Sequence, residues 1–121
     1  MNRNDTINFV IRMPSLFRER GNFSMIDLLA EVGGPAAIAG IRVADLAAAL
    51  RDRPECVRAW VGYSEDNRSS PAWFIQASPN GSKWVVGFYP DGESVQYDTA
   101  SDACSHYIRH YLDQLCMNIV R

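Results

Sequence analysis

The sequence lacks several features that would point directly to a known kind of active site. It has no Gly-x-Ser-x-Gly nucleophile motif, no glycine-rich phosphate loop, no internal repeat and no low-complexity tract. In the first 21 residues no apolar run is longer than Phe9-Val10-Ile11, so neither a signal peptide nor a membrane span is expected there. The sequence therefore predicts a cytoplasmic protein that does not bind a membrane.

Cysteine is also scarce, with one residue each at Cys56, Cys104 and Cys116. Cys104 and Cys116 fall in one predicted helix, where twelve residues separate them by about 18 Å, too far for a disulfide. Cys104 and His106 point to nearly opposite sides of that helix and cannot act as a nucleophile and its base. We interpret Cys104 and Cys56 as small apolar core residues, and we expect no catalytic residue.

The size and composition are those of an ordinary globular protein. The chain has 121 residues, of which 47% are apolar and 21% are charged. A chain of this size buries roughly two-thirds of its unfolded surface. We therefore predict a single domain over residues 1–121 that needs no cofactor and no metal for stability.

Residues 1–63 are predicted to be mainly helical. Apolar residues between positions 5 and 20 have helical spacing but are interrupted at Pro14, which predicts one or two short helices. Ser24 is predicted to cap a further helix that ends at a Gly-Gly-Pro sequence. The segment 36–42 is apolar but contains a glycine, and we interpret it as a loop or a short extended piece. Two more helices are predicted, beginning at Val43 and Pro54.

Residues 71–98 are predicted to form a three-stranded antiparallel meander, because the apolar period changes there from 3.6 to 2. Asn80-Gly81 and Asp91-Gly92 supply the two turns. Phe74 and Tyr89 have the opposite parity and are expected on the other face or at its rim. The alternating residues predicted to form the apolar face are Trp73, Ile75, Trp84, Val86, Phe88, Val95 and Tyr97.

A C-terminal helix is predicted over residues 100–117, capped by Thr99 and Asp102 and packed on the sheet. One stripe of this helix is predicted to face the sheet: Cys104, Tyr107, Ile108, Tyr111 and Leu115. The opposite side, with His106, His110 and Asp113, is predicted to face solvent. These three could ligate one metal, but the pattern lacks the Glu of the zinc protease motif and no enclosed pocket is expected, so we interpret the histidines as exposed. The predicted fold class is therefore α+β: a helical N-terminal half, a three-stranded antiparallel meander and a C-terminal helix on the sheet.

The sequence of the meander and the last helix resembles small bacterial immunity proteins of polymorphic and contact-dependent growth inhibition toxin systems. The residues that carry this resemblance are Trp84, Val86, Phe88 and Tyr89, then Tyr97, Ala103, Cys104, Tyr107 and Ile108, and it covers about residues 71–115. It implies a non-enzymatic inhibitor that binds one cognate toxin domain, often a nuclease, and covers its active site or its substrate-binding surface.

The charge distribution favours such a partner independently. Between Gly62 and Cys104 two basic residues stand against six acidic residues, a net charge of -4, which repels nucleic acid and attracts a basic protein. Exposed Tyr beside acidic side chains is typical of interface hot spots. The predicted partner-binding residues are Glu65, Asp66, Tyr89, Asp91, Glu93 and Asp98.

The alternative is a small nucleic-acid-binding regulator that uses the N-terminal helices. Two short helices around Leu28 and Leu46 suggest a helix-turn-helix, with several arginines nearby: Arg42, Arg51, Arg53 and Arg58. However, the ten-residue connection is longer than the usual tight turn, and neighbouring acidic residues offset the basic charge. Ion pairs on the protein surface explain these arginines better.

Overall fold

The computed structural model describes residues 2–66, 71–90 and 92–120, the last three by their backbone only. This part of the chain contains seven helices and one antiparallel sheet, with the last helix packed on the sheet, so the predicted α+β class is confirmed. The elements are α1 (Arg3–Ile11), α2 (Met13–Arg20), α3 (Met25–Val32), α4 (Gly34–Ala39), α5 (Val43–Asp52), α6 (Pro54–Asp66), β1 (Ala72–Ala77), β2 (Trp84–Tyr89), β3 (Ser94–Tyr97) and α7 (Ala100–Val120).

The helix starts follow the local capping signals. The Ser24 hydroxyl accepts from the Asp27 N–H at 3.1 Å, and the Asp27 carboxylate accepts from the Ser24 N–H at 2.9 Å, so the predicted cap of α3 is confirmed. Gly33 ends α3 with φ 118°, a conformation that favours glycine. Thr99 caps α7 by accepting from the Asp102 N–H at 3.2 Å.

The prediction of a loop or extended piece over residues 36–42 is wrong for most of that segment, because α4 covers Gly34–Ala39. Pro35 lies in the first turn, where its missing N–H costs nothing, and the Ile38 side chain is buried. The Arg109 guanidinium donates to the Ile38 and Ile41 carbonyls, each at 2.9 Å. A side chain about 70 residues away therefore adds to the backbone hydrogen bonds that close the end of this short helix.

The predicted meander is confirmed in order and direction. The strand order is β1-β2-β3, both pairs are antiparallel, and Ile75, Val86 and Val95 lie side by side across the sheet. Ile75 and Val86 are buried, but Val95 on the edge strand is 53% exposed. Gly81 has φ +74°, as the first predicted turn requires. Asp91 of the second turn lies outside the described residues.

The predicted orientation of α7 is wrong. The His110 ring stacks on Trp73 at 3.8 Å between ring centroids, and the His106 ring stacks on Tyr97 at 4.7 Å. His106 and His110, predicted to face solvent, therefore face the sheet, whereas Asp113 is exposed as predicted. The tyrosine stripe packs instead on α6, where Tyr107 and Tyr111 make edge contacts with Trp60.

The buried apolar side chains of the helices and of the sheet form one cluster, with α7 in contact with α5, α6 and all three strands. Ser64 joins α6 to the β1 edge of the sheet, because its hydroxyl accepts a hydrogen bond from the Ile75 N–H at 3.2 Å. None of the described helices is long and apolar enough to cross a membrane.

Candidate functional site

The two faces of the sheet have different surroundings. The inner face carries the stacked residues Trp73 and Tyr97 under α7. The name outer face is used here for the strand residues of opposite parity in β1, β2 and β3: Ala72, Phe74, Gln76, Val85, Gly87, Tyr89, Ser94 and Gln96. On this face Tyr89, Ser94 and Gln96 are exposed, whereas Phe74, Gln76 and Val85 are half-buried. The predicted parity of Phe74 and Tyr89 is thus confirmed.

Two glycines shape the outer face around Tyr89. The Phe74 ring lies against Gly87, where an added Cβ would come within 2.8 Å of the ring. Gly92 packs on Phe88 and donates its N–H to the Phe88 carbonyl at 2.7 Å, and a Cβ there would collide with the Phe88 backbone. The chain therefore turns tightly directly after Tyr89. The Tyr89 side chain, at the end of β2, is left 57% exposed.

The predicted binding residues lie at two ends of the sheet. Tyr89 ends β2 and Glu93 directly precedes β3, so both are at the β2–β3 connection and both are exposed. Asp98 follows β3 at the other end, where Trp84 pairs with Tyr97. Trp84 and Tyr89 are the two ends of a six-residue strand, so the two groups are about 17 Å apart.

The remaining predicted acids lie at the end of α6. Glu65 and Asp66 are exposed, and Glu65 lines a groove together with Trp84, which places it nearer to the Asp98 end. Asp91 lies outside the described residues. An interface that buries about 800 Å² per partner is about 30 Å across, so one partner could still cover both groups.

Asp98 differs from the other acids because it already has a basic partner. Its carboxylate accepts a hydrogen bond from the Lys83 ammonium and forms an ion pair with it. This hydrogen bond and the positive charge of Lys83 hold the pKa of Asp98 below its usual range. By contrast, Glu65, Asp66 and Glu93 form no ion pair within the part of the chain that the structure describes.

Sequence reasoning missed the groove between α6 and the start of α7. Its volume is about 360 Å³, with an apolar floor and with Arg58 and Glu65 on its α6 side. The residues that line it are Pro54, Val57, Arg58, Val61, Gly62, Glu65, Trp84, Ala100 and Ser101. We predicted Trp84 as a core residue, but it is only half-buried. Its position at the first residue of a strand, beside a turn, was the available signal.

An aromatic cluster packs α6 against α7. The Tyr63 and Tyr111 hydroxyls lie 2.7 Å apart and share a hydrogen bond, and Tyr107 hydrogen-bonds to Ser64. Burial raises the pKa of both Tyr107 and Tyr111 above the usual range. Trp60 is fully buried among these rings, and its Nε1 has no hydrogen-bond partner among the described atoms. These hydroxyls hold α6 against α7 and do not reach the outer face.

The described residues contain few groups suited to catalysis. Cys56 and Cys104 are buried, as predicted, and burial raises the pKa of both thiols, so neither is a reactive thiolate at neutral pH. The structure shows no group of three His, Cys, Asp or Glu residues that could hold a metal ion in the described ranges. The His106 and His110 rings stack on aromatic residues of the sheet, and Asp113 pairs with Arg109 at 2.6 Å.

Comparison of the chain with protein-family models, with curated proteins and with solved structures found no match.

Proposed function

We propose that this protein is an immunity protein of a polymorphic or contact-dependent growth inhibition system. It acts in the cytoplasm, where it binds a cognate toxin domain, a basic nuclease, and covers its active site or substrate-binding surface without catalysing a reaction. The main support is Tyr89, which is 57% exposed on the outer face of the sheet beside the exposed Glu93. A rigid aromatic side chain at an acidic rim is typical of an interface anchor.

The charge of the surface supports a basic partner. Glu65, Asp66 and Glu93 are exposed and have no ion pair with another described residue, so their field is not cancelled locally. A nuclease must present basic side chains to hold phosphates, and an acidic inhibitor can occupy that surface. Asp98 contributes less, because Lys83 already neutralises it.

The test uses the neighbouring upstream gene. We expect it to encode a large secreted protein with a C-terminal toxin domain, and that purified domain is the probe. The measurements are the Kd for this protein at low salt and the nuclease activity of the domain with and without it. We expect tight binding and loss of nuclease activity. An upstream gene without such a domain, or a domain that neither binds nor is inhibited, would reject the proposal.

Matched variants locate the surface. We expect Tyr89→Ala and Glu93→Lys each to weaken binding by about tenfold or more, because an aromatic anchor or a steering charge is lost. The controls are Phe23→Ala, also an exposed aromatic, and Glu19→Lys, also an exposed acid, both in the helical half. If the two controls weakened binding as much as Tyr89→Ala and Glu93→Lys, or if none of the four variants weakened it, the toxin would not bind at Tyr89.

The nucleic-acid-binding alternative has weaker support. Four arginines of the helical half, Arg3, Arg20, Arg42 and Arg51, form ion pairs with acidic side chains, which reduces the positive field available to a phosphate backbone. Retardation of a labelled DNA duplex by the isolated protein, with a steep loss of binding as salt rises, would favour the regulator over the inhibitor.

A further inference from the structure

The two edges of the sheet are not equivalent. At the β1 edge, the Ile75 N–H points away from β2 and donates to the Ser64 hydroxyl, so α6 occupies this edge. At the β3 edge, Ser94, Val95 and Gln96 are all exposed. An uncovered strand edge presents backbone donors and acceptors that can pair with another strand.

The hydrogen-bond pattern identifies which backbone groups are available. Because the Ile75 N–H points away from β2, the Ile75–Val86 pair is the non-hydrogen-bonded kind, and Val86 must direct its N–H and C=O toward Val95. Hydrogen-bonded and non-hydrogen-bonded pairs alternate along an antiparallel ladder, so the N–H and C=O groups of Ser94 and Gln96 point away from the sheet. No hydrogen bond within the described residues satisfies these four groups. We use free edge for the outward backbone groups of Ser94 and Gln96.

The charge around the free edge indicates what can bind there. Glu93 precedes β3 and Asp98 follows it. Lys83 already neutralises Asp98, so Glu93 is the unpaired charge at this edge, and a second copy of this protein would bring a second Glu93 to it. A basic strand avoids this repulsion and gains attraction instead.

We propose that an extended basic segment of the toxin joins the sheet as a fourth strand along β3. This inference rests on the proposed function and specifies how the partner binds. The backbone of Ser94 and Gln96 supplies two donors and two acceptors, and the 53% exposed Val95 gives an apolar contact for a side chain on the inner face. Basic side chains of the segment would face Glu93.

Proline and alanine variants at one position separate the backbone from the side chain. Ser94→Pro removes an outward N–H at the first residue of an edge strand, where proline is tolerated, and Ser94→Ala keeps that N–H. With the upstream-encoded toxin domain as probe, we expect Ser94→Pro to weaken binding by about tenfold or more and Ser94→Ala by less than about threefold. Equal binding by both variants would overturn the inference.

Gln96→Pro and Gln96→Ala repeat the comparison if the first proline variant fails to fold. The wild-type protein gives a further measurement that needs no variant, amide hydrogen exchange with and without the toxin domain. We expect the Ser94 and Gln96 amides to exchange rapidly in the free protein and to become protected in the complex. The Val95 and Tyr97 amides, which point into the sheet, are the internal controls and should be protected in both states.

The outcomes distinguish the two proposals. If the toxin domain binds and is inhibited while the Ser94 and Gln96 amides remain unprotected, the immunity function stands and the strand-addition inference is rejected. If the domain does not bind at all, both are rejected. If the free protein sediments as a dimer that Ser94→Pro converts to a monomer, a second copy occupies the edge, and this too contradicts the inference.

Discussion

At the scale of single residues, Arg109 makes the longest-range polar contacts described in the structure. Its guanidinium donates to the Ile38 and Ile41 carbonyls and to the Asp113 carboxylate, with the side chain only 18% exposed. The planar guanidinium can reach all three acceptors at once, whereas an ammonium cannot reproduce this geometry. Arg109 thereby ties α7 to the end of α4.

We therefore expect Arg109→Lys to lower the free energy of unfolding by about 1–3 kcal/mol, because the Ile41 carbonyl loses the Arg109 donor and the Ile38 carbonyl keeps only its backbone donor. Urea denaturation followed by tryptophan fluorescence measures the change. Asp113→Asn is the control, since Asp113 is 60% exposed and its ion pair with Arg109 should contribute less than about 1 kcal/mol. If the two variants lost the same stability, the contact with the α4 carbonyls would not be the stabilising one.

Individual residues also explain why part of the candidate site escaped prediction. Exposure of Tyr89 and its parity followed from strand alternation alone, and both are found. The Lys83–Asp98 ion pair did not follow, because it joins two turns that become neighbours only through the strand register. The half-exposed Trp84 was missed for a similar reason, since its neighbours on α6 are 19 or more residues earlier in the chain.

At the scale of elements, local signals predicted most boundaries and tertiary contacts decided the exceptions. The Ser24 cap, Pro54 and the turn glycines placed α3, α6 and the meander correctly. α4 was missed because no residue inside it signals a helix end, and Arg109, far away in the chain, donates to the Ile38 carbonyl in α4 and to the Ile41 carbonyl just after it. A sequence pattern shows the periodicity of a segment but not a donor on another element.

The orientation of α7 shows a limit of the single-face assumption. A helical wheel assigns one apolar stripe to the core and the opposite side to solvent. Here α7 packs on both sides, with tyrosines against Trp60 and with His106 and His110 stacked on the aromatic residues of the sheet. Imidazole rings are polar but flat, so they can cover an aromatic face. A helical wheel cannot distinguish a histidine that stacks on the sheet from a histidine that is exposed to solvent.

Alanine substitutions at two glycines, one at the end of α3 and one within α6, are expected to change the stability in opposite directions. Gly33 has φ 118°, and an added Cβ would lie 2.9 Å from the Ala37 Cβ, so Gly33→Ala should cost about 1–3 kcal/mol. Gly62 is inside α6 with nothing within 4 Å of an added Cβ, so Gly62→Ala should stabilise by up to about 1 kcal/mol. Thermal and urea unfolding measure both; a loss of stability in Gly62→Ala would contradict the helical assignment around it.

At the scale of the whole molecule, two packing arrangements meet on α7: tyrosines and the Cys104 thiol pack on its helix-facing side, and the histidines pack on its sheet-facing side. Burial raises the pKa of Cys104, Tyr107 and Tyr111, so the folded protein holds these protons at a pH where the unfolded chain loses them. Burial, with repulsion from His106 and Arg109, lowers the pKa of His110 below 6.5. The unfolded chain therefore binds a proton there before the folded protein does.

The signs of these shifts predict that stability falls on both sides of neutral pH. Above about pH 9 to 10 the unfolded state binds fewer protons than the folded state, so the free energy of unfolding falls as pH rises. Below about pH 6.5 the unfolded state binds more protons through His110, so the free energy of unfolding falls as pH drops. Urea denaturation between pH 5 and about pH 11 measures the profile.

One variant for the alkaline range and one for the acid range identify the groups whose titration changes the stability. Tyr111→Phe should reduce the slope above about pH 10 by up to about 1.4 kcal/mol per pH unit, because one fewer linked proton remains, and should leave the acid side unchanged. His110→Phe keeps an aromatic ring on Trp73 and should flatten the acid side alone. If His110→Phe left the acid slope intact, the stability loss would arise from carboxylates, and the contact between α7 and the sheet would not sense pH in this range.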